Sequence, residues 1–365
     1  AFNALSVCAA EDTRPHVFRV NRPYSVMGNL GTPLDLVIDG VGFGTLKGEL
    51  RLVDVDTDSV QHVFDLSTVT WSATQISTTI PNDGSVRAGV YQIEIVRPDG
   101  VRPVNTVSYH VVGAGYNPRI LEVGPGKTFD PNDPAKPANR RSLQSAIDRY
   151  RNPGNRGVLV VVYPNTISDT NLDGAYYENL IISTPVTVQG VGAGGPGVPG
   201  TVLHGGNFWA TGYDPTQPFT SVELIADAWY TKLGGINWQG NQNIADGSVV
   251  YVISGVAANG SPYFTSRRVA RLDGLKITGG DQRDFPGNIQ QIGGIVTPTG
   301  AANAQTQGGG VFLNGFTPNF HITNNVLTTN GGAYGGAIRV GTPFSGDNQN
   351  DDLVIAHNRI VANGG

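Results

Sequence analysis

The sequence predicts an all-β protein in which a β-sandwich precedes a parallel β-helix. Three observations lead to this fold class: a composition rich in turn-forming residues, alternating apolar strands in the first third, and a repeat near the end of the chain. The 365 residues include 50 Gly and 23 Pro, and only 15% are charged. Many tight turns and few charges are typical of all-β proteins and not of helical bundles.

Residues 15–113 are predicted to form the β-sandwich. Residues 90–95 read VYQIEI, an alternation that places Tyr91, Ile93 and Ile95 on one face of a strand. Shorter alternating segments precede it, and turns that contain glycine separate them. Several short strands at regular spacing are typical of two packed sheets.

The same region carries a resemblance to a known family. Residues 40–44 read GVGFG, residues 71–76 read WSATQI, residues 80–81 read IP, and residues 89–91 read GVY. This order of motifs resembles the immunoglobulin-like IPT/TIG family. In secreted bacterial proteins that resemblance implies a spacer or binding module, and seldom a catalyst.

Both ends of the chain carry expectations. Residues 1–14 are predicted to form a loose N-terminal arm with Cys8, the one cysteine of the sequence, as a free thiol. A single cysteine excludes internal disulfides and cysteine-based zinc sites. The chain begins with Ala, so we expect a processed or trimmed product. It stops at Gly365 without a capping unit, so we expect the natural protein to continue.

Residues 114–141 are predicted to form a proline-rich linker. Proline lacks a backbone N–H and restricts φ, so we expect its repeated use to prevent regular structure and to stiffen the connection. The prolines that lead to this prediction are Pro118, Pro125, Pro131, Pro134 and Pro137.

Residues 142–365 are predicted to form the second domain, which opens with an amphipathic helix. The helix is expected over residues 142–150, and its apolar face carries Leu143, Ala146, Ile147 and Tyr150. Residues 157–163 read GVLVVVY, a fully apolar segment of the kind that is buried in parallel sheets.

The motifs that follow carry a second resemblance. A helix, GVLVVVYP, YYENLII and PVTVQGVG occur in this order. The order resembles the opening of the pectate-lyase-like right-handed parallel β-helix superfamily, over residues 139–365. The resemblance implies that the helix caps the first coil, where it would cover apolar side chains and backbone edges.

A repeat close to the end of the chain supports this architecture. Residues 319–332 read NFHITNNVLTTNGG, and residues 352–365, thirty-three positions later, read DLVIAHNRIVANGG. Self-similarity at a fixed period is typical of stacked units. We expect the repeated amides to stack and to satisfy buried backbone groups, in the pairs Asn325 with Asn358 and Asn330 with Asn363.

The DTNLDG motif is a candidate calcium loop. It offers oxygen ligands on alternate residues, Asp169, Asn171 and Asp173, followed by a glycine for a sharp turn. The helix–loop–helix calcium pattern has Glu at its twelfth position, where this chain has Leu180. Glu178 would instead close a looser site. The alternative is an ordinary polar turn.

Candidate catalytic residues follow the coil that residues 271–280 are predicted to form. Asp281, Arg283 and Asp284 could serve as a calcium-and-base lyase site or as an acid/base pair for glycoside cleavage. Of the superfamily's catalytic signatures, N-T-D, G-H-G, R-I-K and D-P-H-D are absent from the sequence, and its adjacent aspartates, Asp351 and Asp352, fall in a predicted turn between coils.

Residues 201–266 interrupt the coil pattern and hold many of the aromatic residues. Trp209, Trp229 and Trp238 could form a sugar-stacking platform or a contact surface for another domain or subunit. The alternative is that they form the core of a long loop.

Composition narrows the function. A net charge of −5 argues against general nucleic-acid binding, and no segment approaches the roughly 18 apolar residues that span a bilayer. We expect a non-catalytic secreted or cell-surface scaffold or adhesion protein, with a polysaccharide or another envelope protein as its partner. The alternative is a polysaccharide lyase or glycoside hydrolase that acts in the groove along the coils. Calcium is the one cofactor that the motifs suggest.

Overall fold

The computed structural model describes residues 14–28, 34–103, 105–150, 156–206, 229, 231–238, 248–265, 267–280, 309–332, 335–341 and 349–364, and the structural statements below concern these residues. β-Strands dominate them, which confirms the all-β prediction. No helix in the described part of the chain is long and apolar enough to cross a membrane.

The N-terminal part of the chain forms two sheets, and we call it the two-sheet unit. The first sheet has the order β1-β3-β7-β6 and is antiparallel. The second has the order β2-β9-β8-β4-β5 and is antiparallel except where β2 meets β9. The strands are β1 (His16–Val20), β2 (Tyr24–Val26), β3 (Asp35–Val41), β4 (Glu49–Asp54), β5 (Val60–Val63), β6 (Thr70–Trp71), β7 (Gln75–Thr79), β8 (Gly89–Val96) and β9 (Ser108–Val112).

One apolar core joins both sheets of this unit. Leu36 and Ile38 of β3 pack in the same buried cluster as Ile93 and Ile95 of β8. On β8 the buried residues alternate with partly exposed ones, as the sequence predicts, and Tyr91 is buried on the core side. Period-two burial therefore sets which face of each sheet turns inward.

The rest of the described chain forms three parallel sheets, and we call it the three-sheet stack. The sheets have the orders β10-β11-β14-β17-β20-β23, β12-β15-β18-β21-β24 and β13-β16-β19-β22. The strands are β10 (Arg119–Val123), β11 (Val158–Val162), β12 (Ala175–Tyr176), β13 (Leu180–Ile182), β14 (Thr187–Gly190), β15 (Val202–His204), β16 (Val250–Ile253), β17 (Ala270–Asp273), β18 (Lys276–Thr278), β19 (Val311–Gly315), β20 (Phe320–Thr323), β21 (Val326–Thr328), β22 (Ile338–Val340), β23 (Val354–Ala356) and β24 (Arg359–Val361).

From β11 onward the chain visits the three sheets in a fixed cycle. Each pass from one sheet through the other two is one circuit, and each strand pairs in parallel with its counterpart in the next circuit. Inward side chains of the three sheets meet in one buried core, which includes Val160, Leu203 and Val252. Apolar segments as short as three residues suffice, because every circuit is buried against its neighbours.

Helix α1 (Leu143–Asp148) packs on this core close to β11, through Leu143, Ala146 and Ile147. Ser142 is its N-cap, and the hydroxyl of Ser142 accepts a hydrogen bond from the N–H of Ser145 at 3.0 Å. The predicted helix exists, and it ends at Asp148, two residues before Tyr150.

Asparagine side chains connect successive circuits, as the repeat predicts. Asn325 Nδ2 donates to Leu272 O at 2.8 Å, and the N–H of Asn325 donates to Asn358 Oδ1 at 2.9 Å. The pair Asn330 and Asn363 repeats this arrangement one turn further along the circuit, with 3.1 Å between the Asn330 N–H and Asn363 Oδ1. Each amide satisfies backbone groups at a turn between strands.

The proline-rich segment differs from its prediction in one respect. The expectation that its prolines prevent regular structure throughout is wrong, because β10 lies inside the segment and pairs in parallel with β11. The five residues of β10 contain no proline and lie between Pro118 and Pro125. Every backbone N–H in that interval is therefore available to the sheet.

Candidate functional site

A cleft with a volume of about 540 Å³ lies beside α1 and the segment that leads into β13. Its size falls in the range of small-molecule sites. Among the described residues, amides, two cations, one carboxylate and three aromatic rings make up most of its lining. The lining residues are Pro131, Asn132, Arg141, Ser142, Gln144, Asn165, Asn171, Ala175, Tyr176, Tyr177, Glu178, Asn179, Trp229 and Lys232.

Glu178 is the carboxylate of the cleft, and the first turn of α1 holds it. Its two oxygens accept hydrogen bonds from the backbone N–H groups of Leu143 at 2.8 Å and Gln144 at 2.9 Å. Burial raises the pKa of Glu178, and these two hydrogen bonds and the charge of Lys232 offset part of that rise. The side chain thus spans from the wall of the cleft to the start of the helix.

Gln144 and Lys232 are also anchored. The Gln144 amide pairs with the backbone of Ile181 in both directions, at 3.0 Å from Nε2 to the carbonyl and 2.7 Å from the Ile181 N–H to Oε1. Lys232 forms an ion pair with Asp148 of α1. Gln144 therefore connects α1 to β13, and Lys232 is held against α1.

Asparagines form another part of the lining. Asn132 Nδ2 donates to Asn165 Oδ1 at 2.5 Å, and Asn165 Nδ2 donates to Ala175 O at 3.0 Å. Asn171 closes the same turn, because its Oδ1 accepts from the Ala175 N–H at 2.8 Å. This part of the lining is therefore a connected set of amides, and Asn132 at its outer end is exposed.

The aromatic candidates from the sequence have different surroundings. Trp229 lines the cleft, is 5% exposed, and packs edge-on against Tyr251 with ring centroids 5.5 Å apart. Trp238 lies against Phe316 at 6.5 Å and is not a lining residue. Trp209 lies outside the described residues. Tyr177 was not selected from the sequence; it is the most exposed of the described aromatic lining residues, with 37% of its surface exposed.

The four calcium candidates have separate partners. Asp173 forms an ion pair with Lys276 at 2.9 Å, Asn171 binds the backbone of its own turn, Glu178 binds α1, and Asp169 is exposed. In the described part of the chain, no group of three or more His, Cys, Asp or Glu residues could hold a metal ion.

The calcium site stays a prediction with a direct measurement. Isothermal titration of the parent protein with calcium should give a saturable heat that Asp173→Ala removes, because that change deletes a ligand oxygen. The matched control is Asp56→Ala, an exposed Asp of the two-sheet unit. Absence of heat from the parent protein would dispose of the site.

A second polar cluster lies where the two-sheet unit meets the three-sheet stack. The carboxylate of Asp273, at the end of β17, is fully buried. It accepts five hydrogen bonds, two of them from the N–H and the hydroxyl of Ser108 on β9, at 2.9 and 2.7 Å. The other three come from Gln189 Nε2 at 2.8 Å, Thr323 Oγ1 at 2.6 Å and Asn324 Nδ2 at 2.8 Å. The two-sheet unit thus supplies two donors and the stack supplies three.

His110 on β9 extends the same cluster. Gln189 Nε2 donates to Asp273, so Gln189 Oε1 accepts from His110 Nε2 at 2.9 Å. Because burial favours the neutral imidazole, its proton lies on Nε2, and His110 Nδ1 accepts from the Tyr116 hydroxyl at 2.7 Å. Burial is the largest cause that lowers the pKa of His110 to about 4; Arg271 also lowers it, and the Gln189 hydrogen bond and Asp273 act in the opposite direction.

Backbone contacts close the interface beside this cluster. The N–H of Val20 on β1 donates to Val191 O at 2.7 Å, and the N–H of Gly194 donates to Phe18 O at 2.9 Å. At Gly195 an added Cβ would lie 2.4 Å from Phe18 Cδ1. Only glycine allows the ring and the loop to approach this closely.

The Asp273 cluster was not predictable from the sequence. Asp273 stands in an ordinary strand-and-turn motif, RLDG, and its main partner Ser108 lies 165 positions away in the chain. The cluster therefore had no local signal.

The catalytic candidates Asp281, Arg283 and Asp284, and Cys8, lie outside the described residues. His321 is buried, and its Nε2 lies 3.0 Å from Asn319 Oδ1.

Comparisons with known proteins add no family to this picture. No protein-family model matches the chain, and no curated protein matches it.

Proposed function

We propose that this chain is a non-catalytic scaffold or adhesion protein of the cell surface or the extracellular space. In this proposal, residues 15–113 are an immunoglobulin-like sandwich of the IPT/TIG type, and residues 142–365 are a right-handed parallel β-helix. Residues 114–141 connect the two, and α1 caps the β-helix. The cyclic order of three parallel sheets supports the β-helix assignment.

The observation that carries the proposal is the buried hydrogen-bond cluster around Asp273. Domains that are joined by a chain segment alone move relative to one another by default. A buried carboxylate with donors from both sides resists that motion, because separation would leave a charge and several donors without partners. Such a fixed junction suits a protein that must hold a partner at a constant distance and orientation.

The expected partners follow from the same picture. A polysaccharide or another envelope protein would bind along the stack or at the two-sheet unit. The alternative enzyme function, a polysaccharide lyase or glycoside hydrolase, depends on Asp281, Arg283 and Asp284.

Two measurements on the whole chain test the proposal. Small-angle X-ray scattering should give a profile that a single rigid shape fits, and Asp273→Ala should broaden the distribution of distances. A screen with uronate polymers and neutral glycans, which detects unsaturated products and new reducing ends, should show no turnover. Clear turnover, or an unaltered scattering profile for Asp273→Ala, would overturn the proposal.

A further inference from the structure

The cleft beside α1 keeps polar groups that no described residue uses. Asn132 donates through Nδ2, and its Oδ1 accepts no hydrogen bond from the described residues. Arg141 binds the carbonyls of Lys136 and Pro134 through Nε and Nη2, which leaves Nη1 for another acceptor. The Tyr177 hydroxyl likewise has no hydrogen-bond partner among the described residues; the ring lies 4.9 Å from that of His204. A ligand that pairs with all three of these groups would both donate and accept hydrogen bonds.

Among the described residues that line the cleft, the charges balance when Arg141 and Glu178 are both ionised. Lys232 is paired with Asp148, so this pair contributes no net charge. Arg141 and Glu178 carry opposite charges when both are ionised. A phosphate or a polyanion normally binds where cations are in excess. The cleft therefore favours a ligand without net charge.

The remaining lining separates sugars from apolar ligands. Aliphatic side chains are few, since Pro131 and Ala175 are the aliphatic lining residues among those described. Amides of Asn and Gln predominate, and each carries both a donor and an acceptor, as a sugar hydroxyl does. The Tyr177 ring, the most exposed of the described aromatic lining residues, offers the apolar face on which the C–H face of a pyranose can stack.

We infer that this cleft binds a neutral mono- or disaccharide, with Tyr177 as the stacking platform and with Asn132 and Arg141 as hydrogen-bonding groups. The volume of about 540 Å³ is sufficient for one or two sugar rings. This inference rests on the proposed function, because a protein of the cell surface or the extracellular space would meet glycan chains that present such a sugar unit.

Titration of the full chain with named sugars tests the inference. The probes are cellobiose, lactose and N,N′-diacetylchitobiose, with digalacturonate as the acidic comparison, and saturation-transfer NMR and calorimetry report binding. We expect saturable binding of at least one neutral probe. Tyr177→Ala should weaken it about fivefold to tenfold, and Tyr177→Phe, which keeps the ring, about threefold.

Matched variants locate the binding. Tyr263→Ala changes a tyrosine that does not line the cleft and should leave the affinity unchanged. Asn132→Ala changes an exposed lining residue and should weaken binding without loss of fold by circular dichroism. Absence of binding to every neutral probe, equal affinities in the parent and Tyr177→Ala, or a preference for digalacturonate would overturn the inference.

The outcomes also separate this inference from the proposed function. A scattering profile that fits one rigid shape, without sugar binding, would overturn the sugar-binding inference and leave the scaffold proposal in place. Turnover of a glycan together with saturable, Tyr177-dependent binding of a neutral disaccharide would overturn the scaffold proposal and support sugar binding in the cleft.

Discussion

Asp273 is a carboxylate that is buried without a cation bound to it in the described structure, and five donors surround it. Hydrogen bonds to an ionised acceptor are roughly twice as strong as neutral ones, and burial strengthens them further. The same burial makes the loss of any partner costly. One residue of β17 therefore connects β9, β14, β20 and the turn after β20.

Asp273→Asn tests this role. The variant replaces one acceptor oxygen by an amide that points hydrogens at existing donors. We expect the free energy of unfolding to fall by about 3 kcal/mol, measured by chemical denaturation. Asp56→Asn, which changes an exposed Asp, should alter it by less than about 0.5 kcal/mol. Equal effects of the two substitutions would contradict a central role for Asp273.

His110 makes the stability depend on pH. Its pKa is lowered from the ordinary value of 6.5 to about 4, first by burial. The unfolded chain therefore binds the proton more readily than the folded protein does. The contribution of His110 to stability is complete above about pH 6.5 and is lost as the pH falls through about 4, a total of roughly 3 kcal/mol. Gln189, Tyr116, Arg271 and Asp273 surround the ring.

The measurement is the free energy of unfolding against pH for the parent and for His110→Asn. At acid pH the free energy of unfolding should fall less steeply for His110→Asn than for the parent, because the variant lacks the contribution of His110. His321, whose pKa burial also lowers to about 4, contributes in both proteins. His357→Asn is the matched control, because His357 is exposed and occupies a turn with φ 56° that Asn tolerates. Parallel curves for the parent and His110→Asn would contradict the expected contribution of His110 to the pH dependence of stability.

At the scale of the element, asparagine side chains define the turns of the stack. Asn325 Nδ2 donates to Leu272 O, and Asn325 Oδ1 accepts from the N–H of Leu275 at 3.1 Å. The residues before the two repeated amides, Asn324 and Thr329, have φ of 56° and 55°. The chain thus turns through the left-handed region, and the amide that follows replaces the lost backbone hydrogen bonds.

Asn325→Ala removes these bonds from the interior of the stack. A backbone N–H and a carbonyl would lose their partners in a buried position, so we expect a loss of about 2–3 kcal/mol in the free energy of unfolding. Thr328→Ala, on a partly exposed side chain of β21, is the control and should have little effect. Thermal and chemical denaturation measure both. A loss below about 1 kcal/mol for Asn325→Ala would argue against the amide as a structural element.

For the whole molecule, the close approach of Phe18 and Gly195 offers a way to separate the two units. A side chain at Gly195 would enter the space of the Phe18 ring. We expect Gly195→Val to loosen the junction while each unit keeps its own core, since the cores of the two units are separate clusters. Proteolysis between β9 and β10 should then accelerate, and the scattering profile should broaden.

Gly197→Ala is the control for this prediction. Gly197 lies in the same loop with φ +71°, and its added Cβ would meet nothing within 4 Å. Gly197→Ala therefore introduces backbone strain into the same loop without any contact with Phe18, so it shows how much strain alone does. Equal proteolysis rates for Gly195→Val and Gly197→Ala would show that the contact with Phe18 does not hold the units together.

Much of the fold was predictable because it depends on local patterns. Alternation predicted β8, a fully apolar segment predicted β11, and the spacing of Leu143, Ala146 and Ile147 predicted the buried face of α1. The stacked asparagines were predictable as well, since the period of the repeat is also the distance along the chain between paired residues. β10 was missed, because prolines on both sides concealed a short strand that its neighbour stabilises.

The candidate site was predictable only in part. Asn171 and Glu178 were selected from the sequence for a calcium loop, and Trp229 for an aromatic platform; that all three line one cleft depends on the tertiary structure. Tyr177 carried no signal, since a tyrosine beside an apolar strand is ordinary in a sequence.

By itself, the sequence determined an all-β chain with stacked repeats, because backbone alternation, turn chemistry and periodicity act over a few residues. Only the tertiary structure decided that Ser108 and His110 meet Asp273 and Gln189, and that Asn132, Arg141 and Tyr177 share a cleft. Such contacts join residues that are distant in the chain, and their energy comes from burial, which no local segment can provide.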